Sequence, residues 1–193
     1  MSTESVILTS TINAHEGHNV GICDILGAFL SADMDKEVKM ALRGRYEELT
    51  VKIESQIYIQ HVIYEKVSPV LYITLKKDIY GCLISALLFY ERPVADMRGK
   101  GDELNPYDPC VANKTVGGKQ MKVFWHVDDL NVSHVEPKEV TNFMEWLDGI
   151  CRVLRIIRGK LHEYLGMTLD FLTPGELRVT MLDYLKGVLE DFP

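Results

Sequence analysis

The chain has 193 residues, enough for one domain with a hydrophobic core or for one large piece of a longer protein. With 47% hydrophobic and 25% charged residues, its composition is that of a globular protein and excludes a disordered or fibrous class. The formal net charge of −7 counts against tight binding of nucleic acid by this chain alone, because no net positive field attracts phosphates.

The cysteines and the N-terminal residues indicate where the protein resides. The four cysteines, at positions 23, 82, 110 and 151, form no C-x-x-C pair and no zinc-type spacing, so we expect reduced thiols. Residues 1–5 lack the basic segment of a signal peptide, and no apolar stretch approaches the roughly 18 residues that span a bilayer. We therefore predict an intracellular protein, cytoplasmic or nuclear, with no membrane partner.

In the N-terminal half, hydrophobic patterning predicts a series of short elements. Residues 6–8 predict a short helix or strand, residues 13–19 a polar loop and residues 20–25 a strand. Residues 45–59 have a weak helical period, whereas residues 70–75 are β-branched and aromatic and predict a strand. Apolar residues recur every three or four positions from 79 to 97, which predicts a buried helix.

The C-terminal half predicts hairpins and two helices. A turn at residues 105–109 precedes strands at 110–114 and 121–127, and the chain then turns at Asp128 and Asp129 into a further strand. Pro137 suits the first turn of an amphipathic helix whose apolar residues continue through Cys151 and Leu154. Strands at 163–171 and 176–181 and a helix at 182–192 complete an α+β fold, predicted as one domain of antiparallel strands with helices packed on one face.

The adjacent acids Asp128 and Asp129 are the most informative residues of the chain. They interrupt an apolar, strand-like segment, and two neighbouring carboxylates repel each other and resist desolvation. Such a pair is expected at a hairpin turn beside a compensating cation. Asp24 ends a second apolar strand-like segment, and a strand-end acid with an Asp-Asp hairpin suffices to hold two Mg²⁺ ions at a phosphoryl-transfer site. The alternative is a solvated acidic turn.

Five sequence blocks occur in the order that one known family has. They are residues 23–30 (CDILGAFL), 75–81 (LKKDIYG), 105–110 (NPYDPC), 125–130 (WHVDDL) and 162–167 (HEYLGM). Together they resemble the reverse transcriptase domain of Ty1/copia-type retrotransposons, which usually has Tyr at the position of His126. The resemblance implies a polymerase palm with partial fingers, separated from the thumb, RNase H, integrase and protease regions of a retroelement polyprotein.

The resemblance also implies a reaction and its cofactor. Asp24, Asp128 and Asp129 would be the catalytic residues and would bind two Mg²⁺ ions, or Mn²⁺, with Ile25 contributing a backbone carbonyl. One ion would activate the primer 3′-hydroxyl and the other would hold the triphosphate. The implied partners are an RNA or DNA template with its primer, a dNTP and the remainder of the polyprotein.

Two further sets of residues acquire roles only from the resemblance. The incoming dNTP would be bound by Ala28, Phe29, Tyr80 and Gly81. The primer would be gripped by Tyr164, Leu165, Gly166 and Met167. Phe29 would lie under the sugar and exclude a 2′-hydroxyl; its alternative role is a core residue.

Departures from the family pattern keep other functions open. The family normally has Gln at the position of Ile84, and an apolar side chain cannot make the corresponding hydrogen bond to the nucleotide. With the acidic charge and the missing fingers segment, this favours a catalytically silent retroelement remnant acting as a structural or interaction module. A third option is another palm-like enzyme, such as a nucleotide cyclase, against which the Tyr-Gly and Tyr-Leu-Gly segments count.

Overall fold

The computed structural model describes residues 1–26, 33–77, 79, 94–151 and 154–192. These residues form helices and antiparallel sheets, which confirms the predicted α+β class. They divide into two compact units, one made of Met1–Ala28 and Ala86–Pro193 and the other of Phe29–Ser85. The organisation as one domain over residues 1–193 stays a prediction.

The helices are α1 (Thr3–Glu16), α2 (Arg45–Ile53), α3 (Ser55–Tyr58), α4 (Pro137–Ile150) and α5 (Leu182–Asp191). The strands are β1 (Asn19–Ile25), β2 (Asp33–Arg43), β3 (Val62–Glu65), β4 (Ser68–Lys77), β5 (Glu103–Leu104), β6 (Val111–Val116), β7 (Lys119–His126), β8 (Asp129–His134), β9 (Leu154–Gly159), β10 (Leu161–Tyr164), β11 (Met167–Asp170) and β12 (Arg178–Thr180). Residues 59–61 form a 3₁₀ turn and residues 94–99 are helical. None of the helices described is long and apolar enough to cross a membrane.

The first unit contains an antiparallel six-stranded sheet in the order β5-β6-β7-β8-β1-β9. The predicted strands at residues 20–25, 110–114 and 121–127 are confirmed within it. A smaller sheet in the order β10-β11-β12 belongs to the same unit. In the large sheet β1 is flanked by β8 and β9, so Asp24, near the end of β1, has a directly paired residue on both sides.

Both faces of the large sheet are covered. On one face, side chains of the sheet such as Ile22 and Phe124 form a core with Val6 of α1 and Leu169 of β11. On the other face, Gly21 allows Met144 of α4 to approach the backbone of β1 closely, because a Cβ atom there would overlap Met144 Cε. The end of the Met144 side chain therefore fills the space beside Gly21.

The N-terminal helix corrects one prediction. Residues 13–16, predicted as part of a polar loop, belong to α1, which ends at Gly17 in a left-handed conformation with φ 69°. The face of α1 that packs on the sheet includes Thr9, Ser10 and Asn13, so its helical period is not visible in apolar residues alone.

Two further predictions were wrong around the C-terminal strands. Cys151 and Leu154 were assigned to the amphipathic helix, but α4 ends at Ile150 and Leu154 begins β9. The three- and four-residue apolar spacing continues by coincidence past the end of the helix, into a strand rich in β-branched residues. The predicted strand at 163–171 is instead two strands, because the chain reverses at Leu165 and Gly166.

The second unit is built on a three-stranded sheet in the order β2-β4-β3, together with α2 and α3. Here the predicted strand at 70–75 and the helical period after residue 45 are confirmed, whereas β2 was not predicted. Glu65 of β3 accepts a hydrogen bond from the Tyr72 hydroxyl at 2.6 Å and pairs with Arg43 at 2.8 Å. These contacts tie the three strands together. Most of the predicted helix at 79–97 lies outside the described residues.

Candidate active site

Asp24 and Asp129 lie directly opposite each other where β1 pairs with β8. Directly opposed residues of antiparallel strands project from the same face, with Cβ atoms about 5 Å apart. Both side chains are half-buried. The last residues of β1 and the first of β8 therefore bring two carboxylates together at one end of the sheet.

Asp128 is adjacent to this pair because it lies in the turn between β7 and β8. His126 pairs with Asp129, so Val127 and Asp128 form a two-residue hairpin loop. The backbone N–H of Ile25 donates a hydrogen bond to the Asp128 carbonyl at 3.0 Å, which holds the loop against the end of β1. The structure thus brings the three predicted acids together, while their catalytic and metal-binding roles stay predictions.

The hairpin loop contains an unusual backbone conformation. Val127 has φ 55°, a left-handed value that a β-branched residue rarely adopts. Two-residue hairpin loops require a positive φ in this position, and the usual residue there is Gly, Asn or Asp. The loop therefore stores backbone strain beside Asp128, a feature that clusters at functional sites in proteins.

Asp129 has two acidic neighbours that disfavour its ionised form. Burial, and then the negative charges of Asp128 and Asp24, raise the pKa of Asp129, and only His126 acts in the opposite direction. A bound cation would reverse this balance, because it stabilises ionised carboxylates.

Arg155 was not identified from the sequence. It lies directly opposite Asp24 on the other side of β1, since Asp24 pairs with Arg155 of β9. Across β9, β1, β8 and β7 one row of directly opposed residues therefore reads Arg155, Asp24, Asp129 and His126. The signal for β9 was the adjacent pair of isoleucines at 156–157, which favours a strand.

A preformed metal-binding cluster is not found in the part of the chain that the structure describes. There, no group of three or more His, Cys, Asp or Glu side chains is arranged so that it could hold a metal ion. The site offers neighbouring carboxylates without a closed cage of ligands. Mg²⁺ is commonly bound in this way, by one or two carboxylates completed by water and substrate phosphates.

The residues predicted to grip the primer form a hairpin next to the acids. Leu165 and Gly166 are its turn, both with positive φ, between the paired residues Tyr164 and Met167. Leu165 is exposed, but Tyr164 and Met167 are buried in the core. The Tyr164 hydroxyl donates a hydrogen bond to the Asp129 carbonyl at 3.1 Å. The primer-gripping role stays a prediction, and only the turn is placed to meet a ligand.

The residues predicted to bind the dNTP lie outside the described residues. They are Ala28, Phe29, Tyr80 and Gly81. Ile84 also lies outside the described residues. Ile25 is described and is the last residue of β1.

No protein family model matches the chain, and no curated protein sequence matches it. Solved structures do match. A telomerase from Candida albicans, in complex with the TWJ fragment of telomeric RNA, has a TM-score of 0.51 and 10% identity over 93% of this chain and 35% of that chain.

Candida tropicalis telomerases give similar values. The apo telomerase has a TM-score of 0.47 and 10% identity over 92% of this chain and 36% of that chain. A form truncated from its C-terminal domain has a TM-score of 0.47 and 13% identity over 93% of this chain and 40% of that one. The chain thus spans between a third and two fifths of the lengths of these matches.

The likeness to the Candida albicans telomerase, a polymerase related to reverse transcriptases, concerns the fold alone, because the identity is 10%. The chain thus shares its fold with part of that telomerase. In this fold, Asp24, Asp128 and Asp129 occupy adjacent positions at one end of the large sheet.

Proposed function

We propose that the chain is the palm of an RNA-directed DNA polymerase of the Ty1/copia type, which transfers a deoxynucleotidyl group from a dNTP to a primer 3′-end. One observation carries the proposal: Asp24 and Asp129 are directly opposed on adjacent strands, with Asp128 in the adjoining turn. The five sequence blocks support the copia assignment, and the polymerase fold agrees with it.

The cofactor of the proposed reaction is Mg²⁺, or Mn²⁺, held by Asp24, Asp128 and Asp129. The donors fit this group, since hard cations prefer carboxylate oxygens and the charges of Asp128 and Asp24 disfavour the ionised form of Asp129, which a cation would stabilise. When bound, the metal supplies positive charge that polarises phosphoryl oxygens and favours the ionised primer hydroxyl.

The chain's own residues position these donors. Ile25 holds the Asp128 carbonyl, and the pairing of β1 with β8 fixes Asp129 opposite Asp24. Ile25 would contribute its carbonyl to the site. In the proposed enzyme, Phe29 and Ala28 contact the sugar of the dNTP, Tyr80 and Gly81 lie close to the incoming nucleotide, and the 164–167 hairpin meets the primer.

The proposed partners are an RNA or DNA template with its primer, and the remainder of a retroelement polyprotein. The Candida albicans telomerase was solved with RNA, which supports a nucleic-acid partner for a chain of similar fold. Because this chain has a net charge of −7, we propose that other regions of the polyprotein provide most of the phosphate contacts.

Primer extension on a homopolymeric RNA template, with Mg²⁺ or Mn²⁺, tests the proposal. The wild-type chain should add deoxynucleotides, and Asp128→Asn with Asp129→Asn should abolish addition. Asp183→Asn, at an exposed position of α5, is the matched control and should extend the primer like wild type. The assay is repeated with the chain joined to the fingers and thumb regions of a related element. If the folded wild-type chain extends no primer either alone or in this fusion, the proposal is contradicted.

The second candidate is a catalytically silent remnant that acts as a structural or interaction module. It is favoured by Ile84, where the family has a polar residue, and by the absence of a closed ligand cluster among the described residues. The same assay separates the two candidates. A remnant would fold and remain inactive even with the regions that complete the polymerase.

A further inference from the structure

The Tyr164 hydroxyl joins the smaller sheet to the acidic hairpin. Tyr164 ends β10 and is 2% exposed, and its ring packs edge-on against Phe124 with 5.3 Å between the ring centroids. Its hydroxyl lies 3.1 Å from the carbonyl oxygen of Asp129 and donates a hydrogen bond to it. The contact bridges 35 positions of the chain, so it links two elements that are not otherwise neighbours in sequence.

The Asp129 carbonyl has the capacity for this hydrogen bond. A carbonyl oxygen has two lone pairs, so the Asp129 carbonyl can accept from Tyr164 and also take part in the strand pairing with His126.

Two hydrogen bonds from other parts of the chain are accepted by the consecutive carbonyls of Asp128 and Asp129. Ile25 donates to the Asp128 carbonyl at 3.0 Å, and Tyr164 donates to the Asp129 carbonyl at 3.1 Å. The loop between β7 and β8 contains Val127 in a strained conformation, which persists only when surrounding contacts hold it. Fixing both carbonyls restricts the backbone from which the two carboxylates project.

We infer that Tyr164 is a positioning residue that orients Asp128 and Asp129 for metal binding, and that its side chain does not contact the primer. The inference rests on the proposed function. A buried ring with its hydroxyl bound to the backbone has no surface for a primer, whereas the exposed turn at Leu165 does. Tyr164 thus acts on the reaction through the acids beside it.

The test removes only the hydroxyl. Tyr164→Phe keeps the ring against Phe124, and Tyr107→Phe, at a position that is 96% exposed, makes the same change on the surface. Amide hydrogen exchange reports the loop through the Ile25 N–H, and electron paramagnetic resonance of Mn²⁺ reports the site. Urea unfolding of each variant measures the loss of global stability separately.

We expect Tyr164→Phe to raise exchange at Ile25 by about tenfold and to weaken Mn²⁺ binding by about fivefold, since the Asp129 carbonyl loses the hydrogen bond from the tyrosine hydroxyl. Tyr107→Phe should change neither. If the Tyr164→Phe protein is less stable but binds Mn²⁺ like wild type, the role of Tyr164 is structural only, and the inference is overturned. Unchanged exchange at Ile25 overturns it as well. A wild-type protein that binds no Mn²⁺ contradicts the proposed function, and a rise in exchange at Ile25 would then still support the anchoring of the loop.

Discussion

Asp24 faces Asp129 across two paired antiparallel strands. Like charges directly opposite each other destabilise a strand pair, and here a third acid, Asp128, follows in the adjoining turn. Natural proteins keep such unfavourable charge pairs mainly at functional sites, where the function needs them. The pairing of Asp24 with Asp129 therefore supports the functional proposal and predicts measurable effects on stability.

Asp129→Asn should stabilise the metal-free protein at pH 7. Since the pKa of Asp129 is raised in the folded state, its ionised form opposes folding at pH values above that pKa. The expected gain in unfolding free energy is below about 1 kcal/mol, because solvent screens a half-exposed group. Urea unfolding at several pH values checks this. The gain should disappear as the pH falls below the ordinary aspartate pKa, and a gain that persists there contradicts the electrostatic cause.

Val127→Gly should stabilise the protein by about 1 kcal/mol, because Gly adopts a positive φ without the steric cost that Val pays. Val179→Gly is the matched control. Val179 lies in β12 and is 37% exposed against 38% for Val127, and there the same change should destabilise the protein. Thermal unfolding compares the two, and a loss of stability in both variants would argue against strain at Val127.

Gly21→Ala should destabilise the protein by about 1 kcal/mol, because the new methyl group overlaps the flexible end of Met144, which must shift. Met144→Ala removes the overlapping atoms, so the double variant should lose less than the sum of the two single changes. Gly149→Ala adds the same methyl group to open space within α4 and should be stabilising. Chemical unfolding gives all four free energies, and additive effects would refute the proposed contact.

Glu16→Gln should destabilise the protein by about 1 kcal/mol. The Lys122 side chain is 4% exposed and pairs with Glu16 at 2.7 Å, so the substitution removes the negative charge that faces a buried ammonium group. The cost is limited because Glu16 is 46% exposed and the Gln amide oxygen can still accept a hydrogen bond. In the control, Glu37→Gln, the partner Lys39 is well exposed at 3.3 Å and the cost should be near zero. Equal effects of the two substitutions in urea unfolding would exclude the buried pair as the cause.

The same pair predicts a pH dependence. The hydrogen bond from Lys122 lowers the pKa of Glu16, so its stabilising contribution is complete above the unfolded-state value and is lost as the pH falls through the lower folded-state value. His18 has its pKa lowered to about 4, mainly by burial, so it is neutral at pH 7 and donates from Nε2 to Glu16 at 3.0 Å. Acid unfolding of wild type and Glu16→Gln should converge at low pH.

Much of the fold near the site could be predicted because it depends on local patterns. The strand that carries Asp24 is mostly apolar, and the strand that begins at Asp129 alternates polar and apolar residues. Adjacent acids between two strand-like segments are best solvated at a turn. The pairing of β1 with β8 was less accessible, since register depends on contacts more than 100 positions apart. The family resemblance implied only that Asp24 lies close to Asp128 and Asp129, and the strand pairing itself was not predicted.

The failures have physical causes as well. Helix α1 packs through Thr9, Ser10 and Asn13, so its buried face does not read as apolar. Arg155 was missed because β9 follows α4 without a strong break in the apolar spacing. The role of Tyr164 beside Asp129 depends on a tertiary hydrogen bond that no local pattern encodes.

Binding of Mn²⁺ in the presence of a dNTP, measured by isothermal titration calorimetry, tests the central claim most directly. Wild type should bind the ion, Asp24→Asn should weaken binding at least about tenfold by removing a charged ligand, and Asp183→Asn should bind like wild type. If Asp24→Asn binds as tightly as wild type, or if the folded wild-type protein binds no ion, the three acids are not a metal site and the proposed polymerase chemistry is wrong.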